Sequence, residues 1–299
     1  MLPIARRRMV RMTITSFLAG NMFAYPFMWK SLIAIVCLGI ALPLMGLNMT
    51  TKRFSMIGDA LSHTSLLGVA LGLLCGILPA GMAVLVSIVC GVVIELIRSR
   101  FNRYAELALA IVMSISVGLA GILTKFVSAN SFASYLFGSV SLVTLNDIYA
   151  IVPVSVLVVV FSVIFYRANM YASFNPYEAR ISGLKVRLLA MADTVLTAAV
   201  VALSSTIIGS LVVSSLLVIP VATALQLCRS YKGVTIIGIL VSLLSGVLGL
   251  VLSFPWGTNS GSTIIVVATV FLILAIVYRQ LMKLKLRLSL RSRKGVDKR

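Results

Sequence analysis

Four stretches of this chain carry no charged side chain at all: Thr64–Ile94, Leu107–Thr124, Thr194–Cys228 and Gly233–Tyr278. Crossing the hydrocarbon core of a bilayer takes about 20 consecutive, mostly apolar residues in a helix. The first, third and fourth stretches therefore each have room for close to two crossings. In lipid every backbone N–H and C=O must be paired internally, which leaves helices and closed barrels as the permitted structures. A barrel needs segments of about ten residues with alternating polarity, and no such alternation runs through this sequence. Composition agrees: 60% of the 299 residues are apolar and 11% are charged, where a soluble domain has about a quarter charged. The expected fold is an all-α polytopic membrane protein.

Turns divide the apolar sequence into about nine transmembrane helices, near 31–48, 56–77, 80–97, 106–126, 148–166, 188–206, 208–228, 234–254 and 262–280; eight to ten fit the pattern. The basic turns Lys52-Arg53, Arg98–Arg103, Arg167–Arg187 and Arg229–Lys232 and the C-terminal tail then share one side. The excess of Lys and Arg in cytoplasmic loops assigns that side to the cytoplasm. The chain thus reads as a basic N-terminal extension (1–24), a transmembrane domain (25–280) and a basic cytoplasmic tail (281–299). Basic residues followed by Met12–Trp29 have the outline of a signal peptide, but Asn21 and Pro26 interrupt a weak apolar core. A tenth span, a re-entrant segment and an amphipathic lead-in all remain open there.

The net charge of +19 collects at the two ends, in Arg6, Arg7, Arg8 and Arg11 and again from Arg279 to Arg299. Basic flanks beside spans favour anionic lipid, so membrane lipid is an expected partner and nucleic acid is not. Cys37, Cys75, Cys90 and Cys228 lie in apolar stretches without paired spacing and read as packing residues. There is no G-x-x-x-x-G-K-[ST] phosphate loop, H-E-x-x-H or G-x-S-x-G. The chain is expected to be no enzyme, and any ATP to be bound by another subunit.

Three places stand out against the apolar background. Asp59 and His63, the sole histidine, lie four residues apart, on one helix face and about 6 Å apart along the axis. An aspartate at a bilayer centre costs roughly 2.5–3.5 kcal/mol on insertion scales, which makes a functional role the default. Such a pair can ligate a divalent ion, relay a proton, or form a neutral packing contact. The second place is Phe174–Gly183, which has Asn175 as a cap, Pro176 at the first helical position and Glu178 in the first turn, with Gly183 able to end the helix. Two turns are too short to be stable alone, so this helix needs a partner surface, protein or lipid. The third is Gly209–Ala224, where small residues allow close helix approach and Pro220 would kink a span.

The run Phe54-Ser55-Met56-Ile57-Gly58-Asp59-Ala60-Leu61-Ser62-His63, followed by Gly68, resembles the signature of the membrane permeases of zinc, manganese and iron ABC importers. That family has His-Ala and then Pro-Gly where this chain has His63-Thr64 and Leu67-Gly68. Phe174–Gly183 is similar to the family's cytoplasmic coupling helix, with Asn175 in place of a frequent aspartate. Gly209–Ala224 is similar to its Gly-x-Leu-Leu…Val-Ile-Pro-Ala-Ala-Thr-Ala run. Ser253–Gly257 with Gly261 resembles its last external loop, although the aspartate of that loop is absent.

The resemblance covers roughly Tyr25 to Tyr278 and implies a permease subunit of an ATP-driven importer in the bacterial cytoplasmic (inner) membrane. Its partners would be a second permease copy (in a homodimer, or a related permease), cytoplasmic ATP-binding subunits and an extracytoplasmic metal-binding protein. The divalent metal ion would be substrate, with no permanent cofactor. Asp59 and His63 would meet the ion. Phe174, Asn175, Pro176, Glu178, Ala179 and Gly183 would engage the ATPase, Ala179 by permitting close approach. Gly58, Gly68, Gly209 and Pro220 would serve kinks and packing. A secondary metal/proton transporter, a permease for larger chelates and a non-transporting scaffold are the alternatives.

Overall fold

In the computed structural model, residues 26–101, 105–126, 143–256 and 258–296 are described. The N-terminal extension, most of Met12–Trp29, most of the polar stretch Ser128–Asp147 and Gly257 lie outside the described residues. Eleven helices follow one another: α1 Pro26–Thr51, α2 Ile57–Cys75, α3 Pro79–Arg100, α4 Ala105–Leu123, α5 Leu145–Ile164, α6 Tyr166–Phe174, α7 Pro176–Ile181, α8 Val186–Ile208, α9 Ser210–Leu227, α10 Tyr231–Trp256 and α11 Ser260–Val296. Nine of them (all but α6 and α7) are long and apolar enough to cross a membrane. Each expected span is found, with ends shifted by a few residues.

The local chemistry explains most boundaries. Gly76 takes a left-handed φ of +68° and donates its N–H to the Gly72 carbonyl, ending α2; Pro79 then opens α3 at its first position, where a missing N–H is harmless. Thr144 and Asp147 form a reciprocal capping box at the start of α5, satisfying two orphan donors. Helices α8 and α9 are joined by Gly209 alone, at φ +98° and ψ +147°, a region reserved essentially for glycine. Two features were not expected. The basic loop after α5 contains a nine-residue helix, α6, ahead of the short α7. The last helix continues past residue 280 to Val296, because the basic tail is rich in Leu, Lys and Arg, all good helix formers.

Burial separates a centre from a perimeter. In their most apolar windows α1 and α2 are 67% and 72% buried, whereas α4 and α5 are 22% buried. Large apolar side chains such as Ile111, Ile115, Ile122, Val156 and Val163 stand exposed on α4 and α5, as lipid-facing residues do. Helix α2 packs against α3, α4, α8 and α9, so its position is fixed from several directions. Glycines set the closest approaches. A Cβ at Gly46 of α1 would run into the Leu217 carbonyl of α9, and one at Gly68 would lie 2.5 Å from Ala83 Cα of α3. A Cβ at Gly58 would meet the Leu217 side chain at 3.2 Å. Pro220 is buried within α9, which continues through it.

Candidate functional site

From Ile57 to Ala70 every residue of α2 is buried except two, and the two are Asp59 and His63. Their side chains are 35% and 20% exposed, with His63 Nε2 3.6 Å from Asp59 Oδ1. That separation is too long for a hydrogen bond, so neither group is committed to the other. The rotation of α2 is set on its opposite faces. Thr64 Oγ1 lies 3.2 Å from Ser87 Oγ of α3, and Ser65 Oγ lies 2.5 Å from Ser205 Oγ of α8. With those hydroxyls held, the carboxylate and the imidazole are left half-buried on the remaining face of α2. Among the described residues no third His, Cys, Asp or Glu joins them to make a metal-binding group.

The α6–α7 hairpin occupies the basic end. Asn175 Oδ1 accepts from the N–H groups of Tyr177 and Glu178, at 3.2 and 3.3 Å, and Gly183 follows the helix at φ +86°. Phe174, Tyr177 and Ile181 are 72%, 73% and 72% exposed, and Glu178 and Arg180 are exposed beside them. Ala179 lies on the inner side of α7. It is buried within the chain and anchors α7 inward.

A second polar group escaped the sequence reading. Asp193 of α8 is fully buried, and Lys52 at the end of α1 reaches it with Nζ 2.5 Å from Oδ2. Its other oxygen accepts from Asn48 Nδ2 of α1 and Asn169 Nδ2 of α6, each at 3.2 Å. Tyr231 of α10 donates its hydroxyl to Asn48 Oδ1 at 2.7 Å. A buried charge pair is tolerated when its remaining lone pairs are hydrogen-bonded, and here they are. Asp193 gave the same signal as Asp59, an acidic residue inside an apolar run. Its partners, 141, 145 and 24 residues away, gave none.

A model of the ABC 3 transport family matches residues 24–279, from α1 into α11. The chain belongs to the ABC 3 transport family. It is 35% identical over 87% of its length to a Treponema pallidum protein named "Probable metal transport system membrane protein", 98% of which is covered. It is 28% identical over 90% of its length to the chelated iron transport system membrane protein YfeD of Yersinia pestis, with 91% of that protein covered. Relatives named for manganese transport in Listeria innocua and for zinc uptake in Haemophilus influenzae match at 29% and 25% identity, over 88% and 86% of this chain and 94% and 99% of theirs. Among solved structures, PsaBC from Streptococcus pneumoniae superposes with a TM-score of 0.79 at 24% identity, covering 91% of this chain and 99% of that one. The two chains share a fold, a multi-pass bundle of apolar helices.

Proposed function

We propose that this chain is the permease subunit of an ATP-driven importer of a divalent metal ion, and that Asp59 and His63 receive the ion in transit. The observation that carries the proposal is the orientation of α2, whose only open positions across its buried length are a carboxylate and an imidazole. A carboxylate turned toward hydrocarbon is unfavourable, so the face needs a cover that is polar or itself charged. One chain supplies two donors, and sites for ions such as zinc use about four. A second copy related by a two-fold axis supplies the other two and covers the same face. Oxygen and nitrogen donors without thiolate accept zinc, manganese and iron alike, in keeping with the spread of metals in the names of the relatives.

The hairpin completes the reading. Three exposed large apolar side chains interspersed with Glu178 and Arg180 suit a protein cleft better than hydrocarbon, which rejects both charges. The partner is an ATPase in a separate chain, on the cytoplasmic side of a bacterial inner membrane. A metal-binding protein outside delivers the ion, which sheds water as carboxylate and imidazole replace it. Movement of α7 driven by ATP then changes the side to which the site opens, a shift that requires the ATP-bound partner to favour one conformation. In vesicles reconstituted with permease, ATPase and binding protein, zinc, manganese or iron accumulates only with ATP present. Accumulation driven by a proton gradient without ATP would identify a secondary transporter and overturn the proposal.

A further inference from the structure

The turn between α1 and α2, which places Asp59 and His63, is held from two sides, and one hold leads to the coupling hairpin. On the first side Lys52 is locked to Asp193, and Asn169 of α6 donates to the same carboxylate. One helical turn further along α6, Ser173 Oγ lies 3.0 Å from Thr51 Oγ1, which donates to it. Ser173 is two residues from Asn175, the cap of α7. On the second side the Arg98 guanidinium sits over the buried Phe54 ring, 4.7 Å from its centroid. Arg98 bonds Glu95 at 2.9 Å, and Glu95 accepts from Thr194 at 3.2 Å. Thr194 adjoins Asp193 on α8, so both holds meet there. Between Lys52 and Phe54, Arg53 takes a left-handed φ of +57°, which is uncommon outside glycine and persists where neighbours impose it.

We infer that Asp193, Lys52, Asn169 and Ser173 are positioning residues for transport, linking displacement of the α6–α7 hairpin to the α1–α2 turn and thereby to the ion-binding face of α2. This rests on the proposed roles of α7 and of Asp59 and His63. Apolar contacts allow helices to slide, whereas hydrogen bonds and ion pairs weaken steeply off their preferred distance and angle. A link made of such bonds moves its two ends together. Asn169 and Ser173 of α6 each make such a bond, Asn169 to Asp193 of α8 and Ser173 to Thr51 at the end of α1.

Asn169→Leu with Ser173→Ala removes both bonds and leaves the Lys52–Asp193 pair neutral overall. In proteoliposomes holding permease, ATPase and binding protein, with zinc chloride and manganese chloride tested separately, the readout is ion imported per ATP hydrolysed. The ratio is expected to fall about tenfold, within the range typical of coupling between sites, while the ATPase still co-purifies and hydrolyses. Ser173→Thr, which keeps the hydroxyl, is expected to retain the wild-type ratio. A merely structural role lowers import and hydrolysis together, and an unchanged ratio overturns the inference. Should the double variant fail to assemble, Ser173→Ala alone decides by the same ratio. Tyr177→Ala and Asp59→Asn run alongside: normal import in those would overturn the reading of α7 or α2, whereas an unchanged ratio in the Asn169 and Ser173 variants alone removes the link and leaves that reading standing.

Discussion

Replacing Gly68 by alanine should push α2 away from α3 and impair transport at a distance from Asp59 and His63. A Cβ at this position would lie 2.5 Å from Ala83 Cα, 2.7 Å from the Met82 carbonyl oxygen and 2.9 Å from Ala83 N. All three are backbone atoms, so no side chain can swing aside. Reaching an ordinary contact of 3.4 Å takes a separation of 3.4 − 2.5 = 0.9 Å between the two helices. Overpacking of this kind costs about 1–3 kcal/mol, against a gain of about 1 kcal/mol from the better helix former. With three backbone contacts the cost falls toward the upper end of that range, for a net loss of up to about 2 kcal/mol. The displacement falls five residues from His63, and misplacing reacting groups by about 1 Å can lower rates 100-fold.

The assay is thermal denaturation of the detergent-solubilised complex together with ATP-driven import. Gly118→Ala on α4 is the internal control, since a Cβ there meets nothing within 4 Å, and it should be neutral or stabilising. If Gly68→Ala melts and transports like the wild type while Gly118→Ala does too, the α2–α3 approach is not as tight as described and the reasoning fails.

Three further outcomes are expected. Lys52→Met leaves Asp193 buried without its counter-ion and should destabilise the permease by about 3–5 kcal/mol; Lys52→Met combined with Asp193→Leu should recover most of the loss, measured as membrane yield and melting temperature. Gly209→Ala places a side chain at φ +98°, a strain of about 1–3 kcal/mol, and should lower the yield of folded protein, whereas the same change at Gly121, where a Cβ is unobstructed, should not. Phe174→Ala and Tyr177→Ala should each weaken retention of the ATPase on an affinity column, with the isolated permease melting as the wild type does; unaltered retention would remove α7 from the contact.

The spans were legible because lipid imposes a single rule on every residue of a crossing, and hydropathy over about 20 residues reports it. Asp59 and His63 were legible for the converse reason, as polar groups where lipid should exclude them. What their spacing could not show is that they are the open positions of α2 between Ile57 and Ala70; that depends on Thr64, Ser65, Ser87 and Ser205 meeting across three helices. Helix α6 was hidden because its run, Tyr166–Phe174, is neither apolar nor marked by a cap. The cap of α7 was readable from Asn175-Pro176 alone, but which way Ala179 faces is decided by the packing of the hairpin. Asp193 could have been flagged by the argument used for Asp59, and Lys52 could not have been named as its partner from any local pattern.

The central claim is that the ion passes between Asp59 and His63. The measurement that tests it most directly is ATP-driven metal uptake into proteoliposomes by Asp59→Asn and His63→Ala permeases, each assembled with ATPase and binding protein. Removing one of a chain's two donors should abolish uptake in both variants, while the complexes remain assembled and ATP hydrolysis stays measurable. Wild-type uptake by both variants would contradict the account.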